Sequence, residues 1–210
     1  MKHYKAYILD FDGTLIDSYD GLSIFYDEVF GAIGYHVTEE EKRYFPKISL
    51  QEAYAKKVNR PELLDDFTKA AWNLVNSGVL LKHNKLYKDT LPFINYLKDN
   101  KIPNAIVTGN ATKHVNMVLN NLEINHFYDT IVCSIDIKKQ KPDPEGILLA
   151  IKRLNYQGDL KDICYVGDAY NDYLAAKRAG VTPILIDRHN EFEKSDEYIR
   201  IEHLEELINK

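Results

Sequence analysis

Tyr7-Ile8-Leu9-Asp10-Phe11-Asp12-Gly13-Thr14 sets two carboxylates two residues apart at the end of a short apolar run. The run reads as a buried strand. Side chains alternate along an extended chain, so Asp10 and Asp12 face the same crevice at its carboxyl end. Gly13 then lets the backbone turn away. Two like charges in so small a space need a cation or a shared proton to sit together, and a bound magnesium ion fits. Taken alone, the same stretch also describes a strand end capped by two solvated aspartates.

Outward from this stretch, strand-like and helical segments alternate. Helices are expected at residues 90–100, with Pro92 in the first turn, and at 111–122, 144–154, 170–179 and 202–208. Strands are expected at 104–107, 130–133, 162–166 and 182–186. The alternation predicts an α/β fold, a parallel sheet covered by helices on both faces, with ligands bound at the carboxyl ends of the strands. Between residues 16 and 88 no strand is expected, only helical signals: the capping boxes Thr38 to Glu41 and Ser49 to Glu52, and Pro61 opening a helix that runs to Asn76. An excursion leaving the sheet just after the two aspartates reads as a lid; a helical ornament packed elsewhere is the alternative.

Composition narrows the partners. A chain of 210 residues, 45% hydrophobic, can bury a sizeable core as one large domain or one domain with an insertion. The net charge is −5 with both signs interspersed, which gives no electrostatic footprint for nucleic acid or an anionic membrane. No apolar stretch approaches the ~18 residues of a membrane span, and the start leads into a strand rather than a signal peptide, so a cytoplasmic protein is expected. Cys133 and Cys164 lie in separate apolar runs without a CxxC partner and read as buried free thiols.

Further signals fall at other strand ends. Thr108-Gly109-Asn110 offers a hydroxyl, an unhindered amide and a helix N-terminus, which suit a phosphate, although such a triplet is more often only a cap. Lys141 precedes Pro142, which biases it to an extended conformation; its ammonium could neutralise a phosphoryl group, or belong to a solvated turn with Lys138 and Lys139. Val166-Gly167-Asp168 places a carboxylate where it can reach a metal held by the first pair. Asp172, one helical turn on, could be a ligand, a partner of a ligand, or a first-turn carboxylate on a helix dipole.

In order, Asp10-Phe11-Asp12-Gly13-Thr14, the strand ending in Thr108, Lys141-Pro142, and Gly167-Asp168 with Asp172 resemble the four motifs of the haloacid dehalogenase-like hydrolases. The resemblance spans the whole chain. It implies a Rossmann-like three-layer core from residues 1–15 and 89–210 and an all-helical cap from 16–88, as in the phosphoglycolate phosphatase-like subgroup. It further implies that Asp10 is the nucleophile and Asp12 the general acid and base, that Thr108, Gly109 and Asn110 hold the phosphoryl oxygens, and that Lys141 offsets charge at phosphorus. Magnesium would be held by Asp10, the Asp12 carbonyl and Asp168, with Asp172 nearby. An aspartate at position 12 implies an oxygen leaving group.

The expected activity is therefore magnesium-dependent hydrolysis of a small phosphorylated metabolite. A sugar-phosphate mutase similar to β-phosphoglucomutase is the alternative, and Leu22 stands where that mutase carries a histidine; a non-catalytic binding relative is more remote. In the cap, 45–50 replaces a loop that usually carries glycine and makes Lys47 a candidate substrate contact. Arg60 and His83 are further polar cap residues that a solvated surface would also explain, and Asp89 stands where a glycine usually precedes the helix. The oligomeric state is not expected from any feature of the sequence.

Overall fold

The computed structural model describes residues 3–208. The chain divides into two compact units, residues 1–17 with 86–210, and residues 18–85.

β1 (Ala6–Leu9) is followed by the two-residue strand β2 (Ile16–Asp17), which pairs with β3 (Lys85–Leu86) on the chain's return. The sequence reading expected no strand in this stretch, because two residues carry no periodicity. Next come β4 (Asn104–Val107), β5 (Thr130–Val132), β6 (Ile163–Gly167), β7 (Thr182–Ile186) and β8 (Ile199–Ile201). The six-stranded sheet has the order β5-β4-β1-β6-β7-β8, and all its pairs are parallel. Every residue of β1, β4 and β6 is buried, which is why these strands read as continuous apolar runs rather than as alternations.

The chain builds outward from β1 to β4 and β5 on one side, then crosses to β6, β7 and β8 on the other. This reversal makes the carboxyl ends of β1, β4 and β6 a switch-point crevice. Register brings the ends level: Leu9 is opposite both Ile106 and Val166.

Helices cover both faces. Ala6 and Ile8 join Val107, Tyr165, Ile147 and Ala176 in one core cluster, whereas Tyr7 points the other way and meets Phe93 edge-on with ring centroids 5.4 Å apart. The second unit carries α1 (Tyr19–Gly31), α2 (Glu39–Tyr44), α3 (Leu50–Lys57) and α4 (Leu64–Ser77). The first unit carries α5 (Thr90–Asp99), α6 (Thr112–Asn121), α7 (Glu145–Arg153) and α8 (Tyr170–Ala179). None of the described helices is long and apolar enough to cross a membrane.

In the helical unit, Thr38 and Glu41 close a reciprocal capping box, Ser49 accepts from the Glu52 amide, and Gly78 ends α4 in the left-handed conformation at φ 71°. Pro61 opens a 3₁₀ turn, Pro61–Leu63, before α4 begins. Phe25, Tyr26, Val29 and Phe30 share one face of α1 and pack with Phe45, Tyr54 and Phe67. Trp72, the chain's one tryptophan, lies on α4 and is 51% exposed.

One end of the sheet departs from expectation. Residues 199–201 form β8, not anticipated, and the helix expected at 202–208 is only a 3₁₀ turn, Leu204–Leu207. Arg200, in the middle of β8, is drawn to the buried Asp187 at 2.7 Å, and charge within a three-residue strand hides it. The turn buries Leu204 and Leu207 at a three-residue spacing, which suits a 3₁₀ geometry. Both cysteines are buried and neither forms a disulfide; Cys133 lies one residue beyond β5, not within it.

Candidate active site

Asp10 follows β1 directly and is buried, with its amide bonded to the Val166 carbonyl at 2.8 Å. Gly13 sits at φ 71°, and a Cβ there would lie 2.2 Å from a carboxylate oxygen of Asp168. Both the backbone conformation and the close approach of Asp168 therefore demand glycine. The loop closes on itself: Leu15 and Ile16 amides donate to the Phe11 carbonyl at 3.0 Å each, and the Gly13 amide to Ile16 at 2.8 Å.

Lys141 joins the strand tips. Its ammonium donates to Asp10 Oδ1 and Asp172 Oδ1, both at 2.7 Å, and to the Tyr165 hydroxyl at 3.2 Å. Three acceptors match its three protons, so this lysine is not the solvated turn residue that its basic neighbours allowed. Asp172, 1% exposed, also accepts from the Ala169 amide at 2.9 Å and from the Tyr165 hydroxyl at 3.0 Å. Gly167 makes room for it, since a Cβ there would fall 2.3 Å from the Asp172 carboxyl carbon.

Asp10, Asp168 and Asp172 each bring a carboxylate oxygen within 4.8 Å of the others. Lys141 pairs with two of these three carboxylates, Asp10 and Asp172, so negative charge is in excess, a balance that suits a hard cation with oxygen ligands. Burial pushes the Asp10 carboxyl up to about 7, with the Asp172 charge adding to it and Lys141 opposing. Burial also works against the Lys141 ammonium, but Asp10 and Asp172 outweigh it and hold its pKa well above the ordinary lysine value.

Thr108 lies one residue beyond β4, buried, and its hydroxyl accepts from the Asn110 amide at 3.2 Å. Gly109 lies beside Gln140, whose side-chain oxygen would be 3.2 Å from a Cβ. The Asn110 side chain donates to Asp12 Oδ2 at 2.5 Å, so Asn110 orients that carboxylate. Lys47 lies in the helical unit, half-buried in the 3₁₀ turn Phe45–Lys47; Arg60 there is exposed and His83 half-buried. Leu22 packs against the aromatic cluster of that unit.

Two residues of the site escaped the sequence reading. Tyr165 looked like an ordinary core aromatic within a strand, and nothing local reveals that its hydroxyl reaches Lys141 and Asp172. His114, half-buried in the first turn of α6, has its pKa lowered by burial while the Asp12 charge opposes the shift. Its only signal was its place six residues beyond Thr108, at the start of the following helix.

The sequence matches the haloacid dehalogenase-like hydrolase family over residues 7–186. Among similar proteins is a phosphoglycolate phosphatase of Vibrio cholerae, 29% identical over 191 residues that cover 86% of this chain and 83% of that one. Another is the pyrophosphatase PpaX of Bacillus velezensis, 30% identical over 189 residues, covering 85% and 81%. A crystal structure described as a haloacid dehalogenase-like hydrolase from Bacteroides fragilis superposes with a TM-score of 0.86 at 27% identity, covering 98% of this chain and all of that one. With the order of its motifs, the parallel sheet that gathers them and a match over most of its length, the chain belongs to the haloacid dehalogenase-like hydrolases.

Proposed function

We propose that the protein hydrolyses small phosphate monoesters by way of a phosphorylated Asp10. The observation that carries this reading is the Lys141 ammonium bridging Asp10 and Asp172 at the tips of the central strands. In the first step an Asp10 oxygen attacks phosphorus while Asp12, oriented by Asn110, protonates the departing alkoxide. In the second, Asp12 takes a proton from water, which attacks the aspartyl-phosphate and regenerates Asp10. Lys141 offsets the charge that develops on the phosphoryl oxygens, and Thr108 with the Gly109 amide holds them. Asp10, Asp168 and the Asp12 carbonyl would hold magnesium, with Asp172 adding negative charge and anchoring Lys141. When bound, the ion neutralises phosphoryl oxygens.

The phosphatase and pyrophosphatase relatives support hydrolysis over phosphoryl exchange, as does an apolar Leu22. The helical unit acts as a lid, with Lys47 choosing among substrates, and the substrate is a small phosphorylated metabolite. Two buried cysteines outside any disulfide agree with a reducing, cytoplasmic setting. The test is release of inorganic phosphate from a panel of phosphorylated metabolites with magnesium, with excess chelator, and with calcium in place of magnesium. Activity with magnesium alone is expected, since calcium's looser coordination spoils the attack geometry; undiminished turnover in chelator overturns the metal assignment. Isomer exchange without phosphate release on a sugar bisphosphate would favour the mutase.

A further inference from the structure

Asp89 occupies the N-cap position of α5 without a capping hydrogen bond from its side chain, and Arg188 lies two residues past β7, yet the two side chains meet as an ion pair whose members are 6% and 7% exposed. The same guanidinium donates through its other terminal nitrogen to the Thr14 carbonyl at 2.8 Å, and its carbon lies 4.0 Å from the centre of the Tyr87 ring. Asp89 Oδ2 also accepts from the Leu204 amide at 2.7 Å. A buried ion pair contributes little net stability compared with apolar residues of the same volume. Its use therefore lies in what it holds in place.

What it holds is the loop that begins with the two aspartates. The hydrogen bonds within residues 11–16 set the loop's shape, but its placement depends on ties from outside. Two come from the start of α5: the Thr90 hydroxyl donates to the Leu15 carbonyl at 2.8 Å, and Asp89, next to it, carries the arginine that reaches Thr14. Asp12 lies between Asp10 and these anchored carbonyls.

We infer that Asp89 and Arg188 are positioning residues: together they fix the Thr14 carbonyl, and with it the loop that presents Asp12 to the reacting ester. A glycine at position 89 could not carry such an arginine. The kinetic part of this inference rests on the phosphatase reading of the site; the structural part rests on the hydrogen bonds alone.

The experiment compares the whole protein with Arg188→Met, with Asp89→Asn/Arg188→Met, and with Arg188→Lys. Arg188→Met leaves a buried carboxylate without its guanidinium partner, so its melting temperature falls. The double variant removes both charges and keeps an acceptor for Leu204, so most of the lost stability returns. On p-nitrophenyl phosphate its kcat nonetheless stays at least about tenfold below wild type with KM changed less than about threefold, because an interaction needed in the transition state is missing. Arg188→Lys keeps the charge but cannot present the two-pronged donor; it shows the same kcat loss, and it carries the test where the double variant does not fold. Amide hydrogen exchange over residues 11–17 accelerates at least about tenfold in either variant, while exchange over β6 is unchanged. A double variant with wild-type kcat, or unchanged exchange over residues 11–17, overturns the inference. If the wild-type protein hydrolyses no phosphate ester, the reading of the site fails and the exchange result alone decides.

Discussion

In the sheet unit, charged side chains are tied across long stretches of sequence: Lys141 to Asp10 over 131 residues, Arg188 to Asp89 over 99, Asn110 to Asp12 over 98. In the helical unit the side-chain ties are short, from Ser77 with the Val79 amide over two residues to Tyr26 with the Phe45 carbonyl over 19, and packed rings supply the cohesion. Directional bonds between distant segments fix atoms to fractions of an ångström, as covalent chemistry requires. Ring packing sets volume and tolerates exchange among apolar residues. One unit is thus built for placement and the other for shape.

The severest test of this contrast is Asp10→Asn, which keeps the shape of the side chain and removes the negative oxygen. Phosphate release should fall by at least about 10³-fold, with the melting temperature held or raised because a buried charge is gone. A variant retaining a tenth of wild-type turnover would break the covalent route and with it the claim that placement serves chemistry.

Phe30→Ala probes the opposite side. Phe30 is fully buried, with ring centroids 4.9 Å from Phe67 and 5.4 Å from Phe45. Truncation should cost about 3–5 kcal/mol in denaturant unfolding of the helical unit, whereas Phe30→Leu should cost far less. Equal losses from both would mean that this cluster is as geometrically exacting as the sheet tips.

Tyr165→Phe sharpens the comparison within the core. It removes one oxygen from a fully buried residue, keeps the ring, and takes from Lys141 and Asp172 a shared partner. About a tenfold fall in kcat with little change in KM is expected; steady-state kinetics with an unchanged far-ultraviolet dichroism spectrum would check it.

The smallest effect concerns Lys47. Lys47→Ala should reorder a substrate panel by only a few-fold while sparing p-nitrophenyl phosphate, and Lys141→Ala should depress every substrate together. Uniform fractional losses for Lys47→Ala would remove it from substrate choice.

How much of this was legible follows from the same contrast. Asp10, Thr108 and Asp168 stand within two residues of apolar strand ends, where adjacent strands in register bring them level, so chain order alone locates them. Lys141 was readable by type and by its following proline, but not its acceptors. Tyr165 and the Asp89–Arg188 pair were illegible because their meaning lies in partners on other segments, and Asp89 registered only as a missing glycine. In the helical unit the caps at Thr38 and Ser49 were readable because both partners lie within one turn. β8 was not, being three residues long with an arginine at its centre.

Trp72 gives the molecule an optical label that no engineering supplied. Tyrosines are spread through both units, but the one indole lies half-exposed on α4 of the helical unit. Light at the red edge of the absorption band excites indole and passes over phenol, so the emission is a private channel from that unit, blind to the sheet. Melting followed in that channel and by circular dichroism in parallel will show whether the two units come apart at one temperature or at two.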